Sequence, residues 1–273
     1  MRLLSANLES STAWEEDALA VAAAIFSDAG ADVAAVQECP GEGHLKALAA
    51  LLGFQYRIAP SPTGLHTGLL WRPEITEVGG GDKYAERTQG TWHGFTSSTL
   101  VADGWPCPLT VISAHLIPHS TQAAIEEAQF IQSRVIREGY PGILVGDLNH
   151  LAQQGPEPDW SQVPLHNRAS RTVLDPARPE DLVGDRRVGL VLTRAGLVDV
   201  AAARFEATGD ETLLDHTGVY GRVRVDQAWV TGQLAGAIVG YERLDHRGIT
   251  DHHPIQVDLN LEDLAAIERV EYH

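Results

Sequence analysis

Residues 143–149 read Ile-Leu-Val-Gly-Asp-Leu-Asn: an apolar run, a glycine, then a carboxylate and a carboxamide two positions apart. Gly139-Tyr140-Pro141-Gly142 turns the chain into this run, which reads as a buried strand with polar residues where it ends. Asp147 and Asn149 point to the same side of an extended backbone. The same arrangement recurs outward in both directions: SANL with Asn7, AAVQE with Gln37 and Glu38, ISAHL with His115, VRVD with Asp226, and TDHH with Asp251 and His252. Strand C-terminal ends are where open α/β sheets gather their sites, because side chains there converge without disturbing the core.

Helices are expected between these runs. One, capped by Ser11 or Thr12, reaches about Phe26 and stops at Asp28-Ala29-Gly30; a second covers His44–Leu52 with Gly53 at its C′ position. A third, capped by Ser120 or Thr121, runs to about Glu138, and a short one lies near 187–195, before the run GLVDV. Strands are read at 2–8, 32–38, 54–59, 67–71, 94–101, 109–115, 143–147, 223–230 and 254–259. Pro156, Pro158, Pro164, Pro176 and Pro179 break 150–185 into a long irregular loop, usually a functional feature in a compact domain. With no repeat or low-complexity linker, the pattern is mixed α/β in one domain over 1–273.

The chain has 273 residues, 44% hydrophobic and 21% charged, which rules out a disordered, collagenous or coiled-coil protein. Its formal charge of −17, from 37 Asp+Glu against 20 Lys+Arg, excludes the broad basic footprint of a nucleic-acid coating protein. An enzyme whose divalent cation inverts the field at a small acidic site remains compatible with that charge. Arg2 directly follows Met1 without an apolar leader core, and Cys39 and Cys107 make no disulfide framework. The expectation is a soluble, cytoplasmic monomer that does not enter a membrane.

Taken singly, the strand-end residues have plain structural explanations: Asn7 a turn, His115 a satisfied core histidine, Asp147 an Asx-turn. Glu38 is odder, since a carboxylate closing a buried strand is costly unless a cation or donor meets it. Taken in order, SANL, VQE, SAHLIP, VGDLN, RVDQAWV and TDHHP resemble the motifs of the endonuclease/exonuclease/phosphatase superfamily across residues 3–259. Thr250 stands where that pattern has Ser and keeps a hydroxyl. The LIPHS after Ala114-His115 lacks the tyrosine-containing segment of the abasic-site endonuclease branch, so that branch's specificity is not carried over.

The resemblance implies a deoxyribonuclease I-like fold, a four-layer α/β sandwich of two packed mixed β-sheets flanked by helices. It implies that Glu38 binds a divalent cation, with Asn7 and Asp251 completing or orienting an oxygen-rich shell; such hard ligands suit Mg²⁺, with Mn²⁺ as a substitute. Asp147 would accept a proton from, or position, the attacking water, and Asn149 would donate to a phosphate oxygen. His252 would face phosphorus with Asp226 fixing its tautomer, and His115 would hold the phosphate from the other side. The expected function is metal-dependent phosphoester hydrolysis, first as a nuclease-like phosphodiesterase on DNA or RNA, alternatively on a small phosphorylated metabolite. A non-catalytic phosphate-binding module is the rival from another class.

One further expectation comes from charge. Residues 151–200 carry six arginines against seven acids, so this segment is nearly neutral in an acidic chain, and it leaves the Asp147–Asn149 motif directly. Arg168, Arg171 and Arg178 there are candidate clamps for an anionic substrate; local pairing with Asp and Glu is the alternative. Trp160 either stacks a base or anchors the loop. His246 and His253 read as structural; His66 and His93 lie on loops near strands, and the sequence does not decide between a structural place and an approach to substrate.

Overall fold

The computed structural model describes residues 1–9, 13–80, 90–262, 264 and 270. The strands form two six-stranded sheets. The first holds β1 (Arg2–Asn7), β2 (Val33–Cys39), β3 (Gln55–Ala59), β4 (His66–Trp71), β11 (Ile238–Arg243) and β12 (Ile255–Leu259), in the order β11-β12-β1-β2-β4-β3. The second holds β5 (Thr76–Gly80), β6 (Phe95–Val101), β7 (Leu109–His115), β8 (Gly142–Asp147), β9 (Leu197–Asp199) and β10 (Asp226–Thr231), in the order β5-β6-β7-β8-β10-β9. Each sheet has one parallel pair at its centre, β1 with β2 and β7 with β8, and antiparallel strands around it.

Side-chain alternation along these strands builds the layers. Leu3, Val33 and Leu69 of the first sheet meet Val111, Val145 and Val230 of the second in one buried cluster between the sheets. Their neighbours Leu4, Ala34 and Leu70 face the other way, onto α1 (Glu16–Asp28) and α2 (Glu42–Leu52) through Phe26, Leu45 and Leu48. On the far side Ile112, Leu144 and Trp229 pack against Ile131 and Val135 of α3 (Thr121–Arg137) and Leu192 of α5 (Arg187–Arg194). Burying such a residue contributes roughly 1.5–3 kcal/mol. The four-layer α/β sandwich follows directly from period-two strands that are apolar on both faces.

Polar side chains also cross the sheet interface near one end. Ser113 Oγ donates to Val36 O at 3.2 Å and Gln37 Nε2 to Ser113 Oγ at 3.0 Å. These bonds fix the end of β2 relative to that of β7, which sets the geometry of the cleft between the sheets.

Several boundaries differ from the sequence expectations. Residues 10–12, which include the expected Ser11 or Thr12 cap, lie outside the described residues; α1 begins at Glu16, and Glu15 in the cap position makes no side-chain capping bond. GLVDV is only briefly a strand, because Asp199 caps α6 (Val200–Thr208) by accepting from the amides of Ala201 and Ala202. Edge strands β5 and β11 are additional to the strands read from sequence. The irregular stretch contains α4 (Leu165–Arg171) and an antiparallel bridge between Thr172 and Gly184.

Candidate active site

Strand register assembles half of the site. In the second sheet Asp147 pairs across β7 with His115 and across β10 with Asp226, so the three lie at one level on adjacent strands. His115, Asp147 and Asp226 are all buried. After Asp147 the chain turns: its Oδ1 accepts the Asn149 amide at 2.8 Å, with Asn149 at φ +57°. The Asx-turn is thus present, and it is also what presents the carboxylate. Asn149 Nδ2 donates to Leu116 O at 2.8 Å, which leaves one of its two amide protons for another acceptor.

The first sheet supplies the other half. Asn7 Nδ2 donates to both Glu38 Oε1 and Asp147 Oδ2 at 3.1 Å, while its Oδ1 accepts the Glu9 amide at 3.0 Å. Asn7 thus orients both carboxylates through its nitrogen. Glu38, next to last in β2, lies in the left-handed region at φ +60°, a conformation that costs a non-glycine residue of order 1 kcal/mol, and it lines the cleft. Thr250 Oγ1 donates to Asn7 O at 2.8 Å and accepts the His252 amide at 3.2 Å, so its hydroxyl ties the last motif to the first.

His252 joins the halves. Its Nδ1 is 2.8 Å from Asp226 Oδ2, and its Nε2 is 3.8 Å from both Asp147 Oδ2 and Asp251 Oδ1. Burial alone would lower its pKa, but the Asp226 and Asp147 carboxylates push it up to about 10, so the ring is an imidazolium at neutral pH. Burial would raise the Asp147 carboxyl; His252 and His115, with the Asn149 amide and Asn7, bring it below the usual carboxylate range. His115, 3.5 Å from Asp147 Oδ2 through Nε2, is pushed down to about 4 chiefly by burial and is a neutral ring. One charged and one neutral imidazole therefore flank a single ionised carboxylate.

The cleft around them has a volume of about 330 Å³. Trp92, His93, His119, His166, Arg171 and Tyr220 are among the residues that line it. The three candidate arginines part company here. Arg171 is buried and lines the cleft, its Nε donating to Asn149 O at 2.9 Å. Arg168 is used within its own loop, Nε to Val163 O at 2.9 Å. Arg178 is paired with Asp175 and Asp181 in a local turn. Neither lines the cleft. Trp160 is an anchor, its Nε1 donating to Glu157 at 2.9 Å, and His66, His246 and His253 are not among the lining residues. Trp92, His166 and Tyr220 were not singled out from sequence; none sits in a motif, and the aromatic residues just before β6 were the one local signal.

The donor chemistry fits a divalent cation beside Glu38. The Asp251 carboxyl is raised first by burial and then by the Glu9 and Glu38 carboxylates, which marks a gathering of hard anionic oxygens at the cleft. A second trio, Asp147, Asp226 and His252, brings ligand atoms within 4.8 Å of one another. In that trio Nδ1 of His252 is already engaged by Asp226.

Comparison with known proteins bears on the family and the fold. The sequence profile of the Endonuclease/Exonuclease/phosphatase family matches residues 4–252. No curated protein sequence matches. Among solved structures, a mannosyl-6-phosphatase from Bacteroides thetaiotaomicron superposes with a TM-score of 0.64 at 15% identity, covering 95% of this chain and 99% of its own. The endonuclease domain of TRAS1, a telomere-specific non-LTR retrotransposon, gives 0.60 at 15% identity, covering 96% and 99%. A 3′ phosphatase from Neisseria, solved with a product DNA hairpin, gives 0.63 at 14% identity, covering 95% and 99%. At such identities these likenesses establish the fold.

Proposed function

This chain belongs to the endonuclease/exonuclease/phosphatase family and is a hydrolase of phosphoester bonds, and we propose that it acts, with Mg²⁺ or Mn²⁺, on a small phosphorylated molecule. The reading rests on one observation: His252, held between the buried carboxylates of Asp226 and Asp147, lines a cleft of about 330 Å³ whose wall holds a single arginine among the described residues. A polynucleotide track needs successive cationic contacts along its backbone. With Arg168 and Arg178 used elsewhere, the described part of the loop after Asn149 supplies one.

When bound beside Glu38, the cation would act as a Lewis acid on a phosphoryl oxygen and steady charge on the leaving oxygen. The chain's own residues carry the rest. Asp147, ionised and fixed by Asn7 and the Asn149 amide, takes a proton from or aligns the attacking water. His252, kept charged by Asp226, donates to a phosphoryl oxygen, and the free amide proton of Asn149 donates to another. Arg171, whose Nε donates to the Asn149 backbone carbonyl at 2.9 Å and whose Nη2 donates to its Oδ1 at 3.5 Å, holds that residue in place while lining the same cleft.

A second reading, a nuclease-like phosphodiesterase on DNA or RNA, is favoured by the exposed rings of Trp92 and Tyr220, which can stack bases. The deciding experiment measures hydrolysis of a simple phosphomonoester and of oligonucleotides of increasing length, at two salt concentrations, with Mg²⁺, with Mn²⁺ and with excess chelator. Metal-dependent, length-independent turnover is the expected result. Turnover that survives the chelator removes the metal from the proposal, and rates that climb with length favour the polynucleotide. Phosphate binding with no turnover on any substrate would indicate a binding module.

A further inference from the structure

His93 is buried at the cleft, yet the chemistry proposed above leaves it without a task. Its ring stacks on that of His115 with centroids 3.9 Å apart and planes 9° from parallel. Its Nδ1 lies 2.9 Å from Oγ1 of Thr63, on the turn between β3 and β4, so the ring spans the two sheets. Beside it, the Trp92 amide donates to Glu127 Oε1 at 2.5 Å while the Ile117 amide donates to Oε2 at 2.8 Å. One buried carboxylate on α3 thus clamps both the segment carrying His93 and the segment leaving His115. A ring fixed by a stack, a hydroxyl and a backbone clamp has its ordering entropy removed before any ligand arrives.

With Nδ1 engaged by Thr63, Nε2 is the nitrogen left for the cleft that the ring lines. We propose that Thr63 and His93 form a substrate-contacting pair, in which the Thr63 hydroxyl donates to Nδ1, sets the Nε2–H tautomer, and Nε2–H donates to a phosphoryl oxygen. The inference rests on the hydrolase reading for the identity of that anion. Burial, and then the neighbouring His115, push His93 down to about 3, so its ring is neutral and carries one N–H. The opposite tautomer would set a lone pair against an anionic oxygen, so a bound phosphate selects Nε2–H. The pair parallels His252 with Asp226, with one difference: a hydroxyl orients the ring without charging it.

Packing and donation are separable. His93→Phe keeps a flat ring to stack on His115 and removes the donor; His93→Gln removes the ring and keeps an N–H. Losing a hydrogen bond to a charged group predicts a roughly 10- to 100-fold fall in kcat/KM for His93→Phe, with partial recovery in His93→Gln. Inorganic phosphate, titrated calorimetrically against the same variants, should bind the Phe variant more weakly by a similar factor, and this readout needs no turnover. Wild-type kinetics and phosphate affinity in His93→Phe would overturn the proposal and leave the ring a packing element. If His93→Phe does not fold, Thr63→Val decides: a several-fold loss of phosphate affinity supports the pair, and unchanged affinity sinks it. A wild-type protein that binds phosphate yet hydrolyses nothing would remove the hydrolase reading and leave the contact itself standing.

Discussion

Gly146 precedes the site carboxylate, and replacing it by alanine should dismantle the constellation. Its φ is +144°, a backbone region that L side chains rarely adopt. A Cβ built there would lie 2.0 Å from the carbonyl oxygen of Ala114 and 3.0 Å from its carbon, whereas real Cβ atoms essentially never approach within 3.0 Å. The obstacle is backbone of the parallel neighbour β7, so no rotamer relieves it; either the strands part or the chain at 146 twists away. Strained backbone costs about 1–3 kcal/mol and overpacking about 1–3 kcal/mol more, which together give about 2–6 kcal/mol. For a domain of this size that corresponds to a fall of roughly 5–20 °C in Tm. The displacement falls on the register that faces His115 with Asp147, one residue away, so activity should drop further than stability does. Differential scanning calorimetry and urea titration of Gly146→Ala, with phosphoester hydrolysis measured well below its Tm, check both. A variant melting within about 2 °C of wild type with unchanged kcat would refute the account of why glycine stands before this aspartate.

Three other variants have expected outcomes. Burial opposes the His252 charge while Asp226 and Asp147 raise its pKa to about 10, so this stabilisation is complete below the unfolded pKa of about 6.5 and is lost as pH rises through the folded value. Asp226→Asn should therefore lower Tm most near pH 6 and least near pH 10, with turnover reduced by something like 10²–10⁴; a Tm gap independent of pH would rule out the charge pairing. Arg171→Ala should reduce kcat/KM by roughly 10- to 100-fold, because a buried donor to Asn149 is lost, while the double variant Arg168→Ala, Arg178→Ala stays within about threefold of wild type, as exposed local pairs are worth about 0–1 kcal/mol. A double variant with a salt dependence flatter by about one unit per lost contact would restore the polynucleotide track.

The residues of the second-sheet site were legible because each follows an apolar run that must be a strand, and a carboxylate left there has few cheap explanations. What spacing does not contain is adjacency. His115, Asp147 and Asp226 are far apart in the chain, and only the registers of β7, β8 and β10 put them at one level. Edge strands β5 and β11 escaped for a related reason: TEVGG and IVGYER are half exposed and lack the apolar density of the central strands. The arginines show where charge counting stops. Asp175, Arg178 and Asp181 are each three apart, close enough for local pairing to be foreseeable, and that pairing forms. Arg171 differs only in ending a short helix that aims it at Asn149, which no count of charges reveals. His93 is the extreme case: a single histidine with no motif, one residue from the glycine that precedes β6. Phe95 of that strand pairs with Ala114, and this register brings the preceding turn against His115. A lone side chain acquires a task there through the strand beside it, so its role becomes readable only once the sheet has formed.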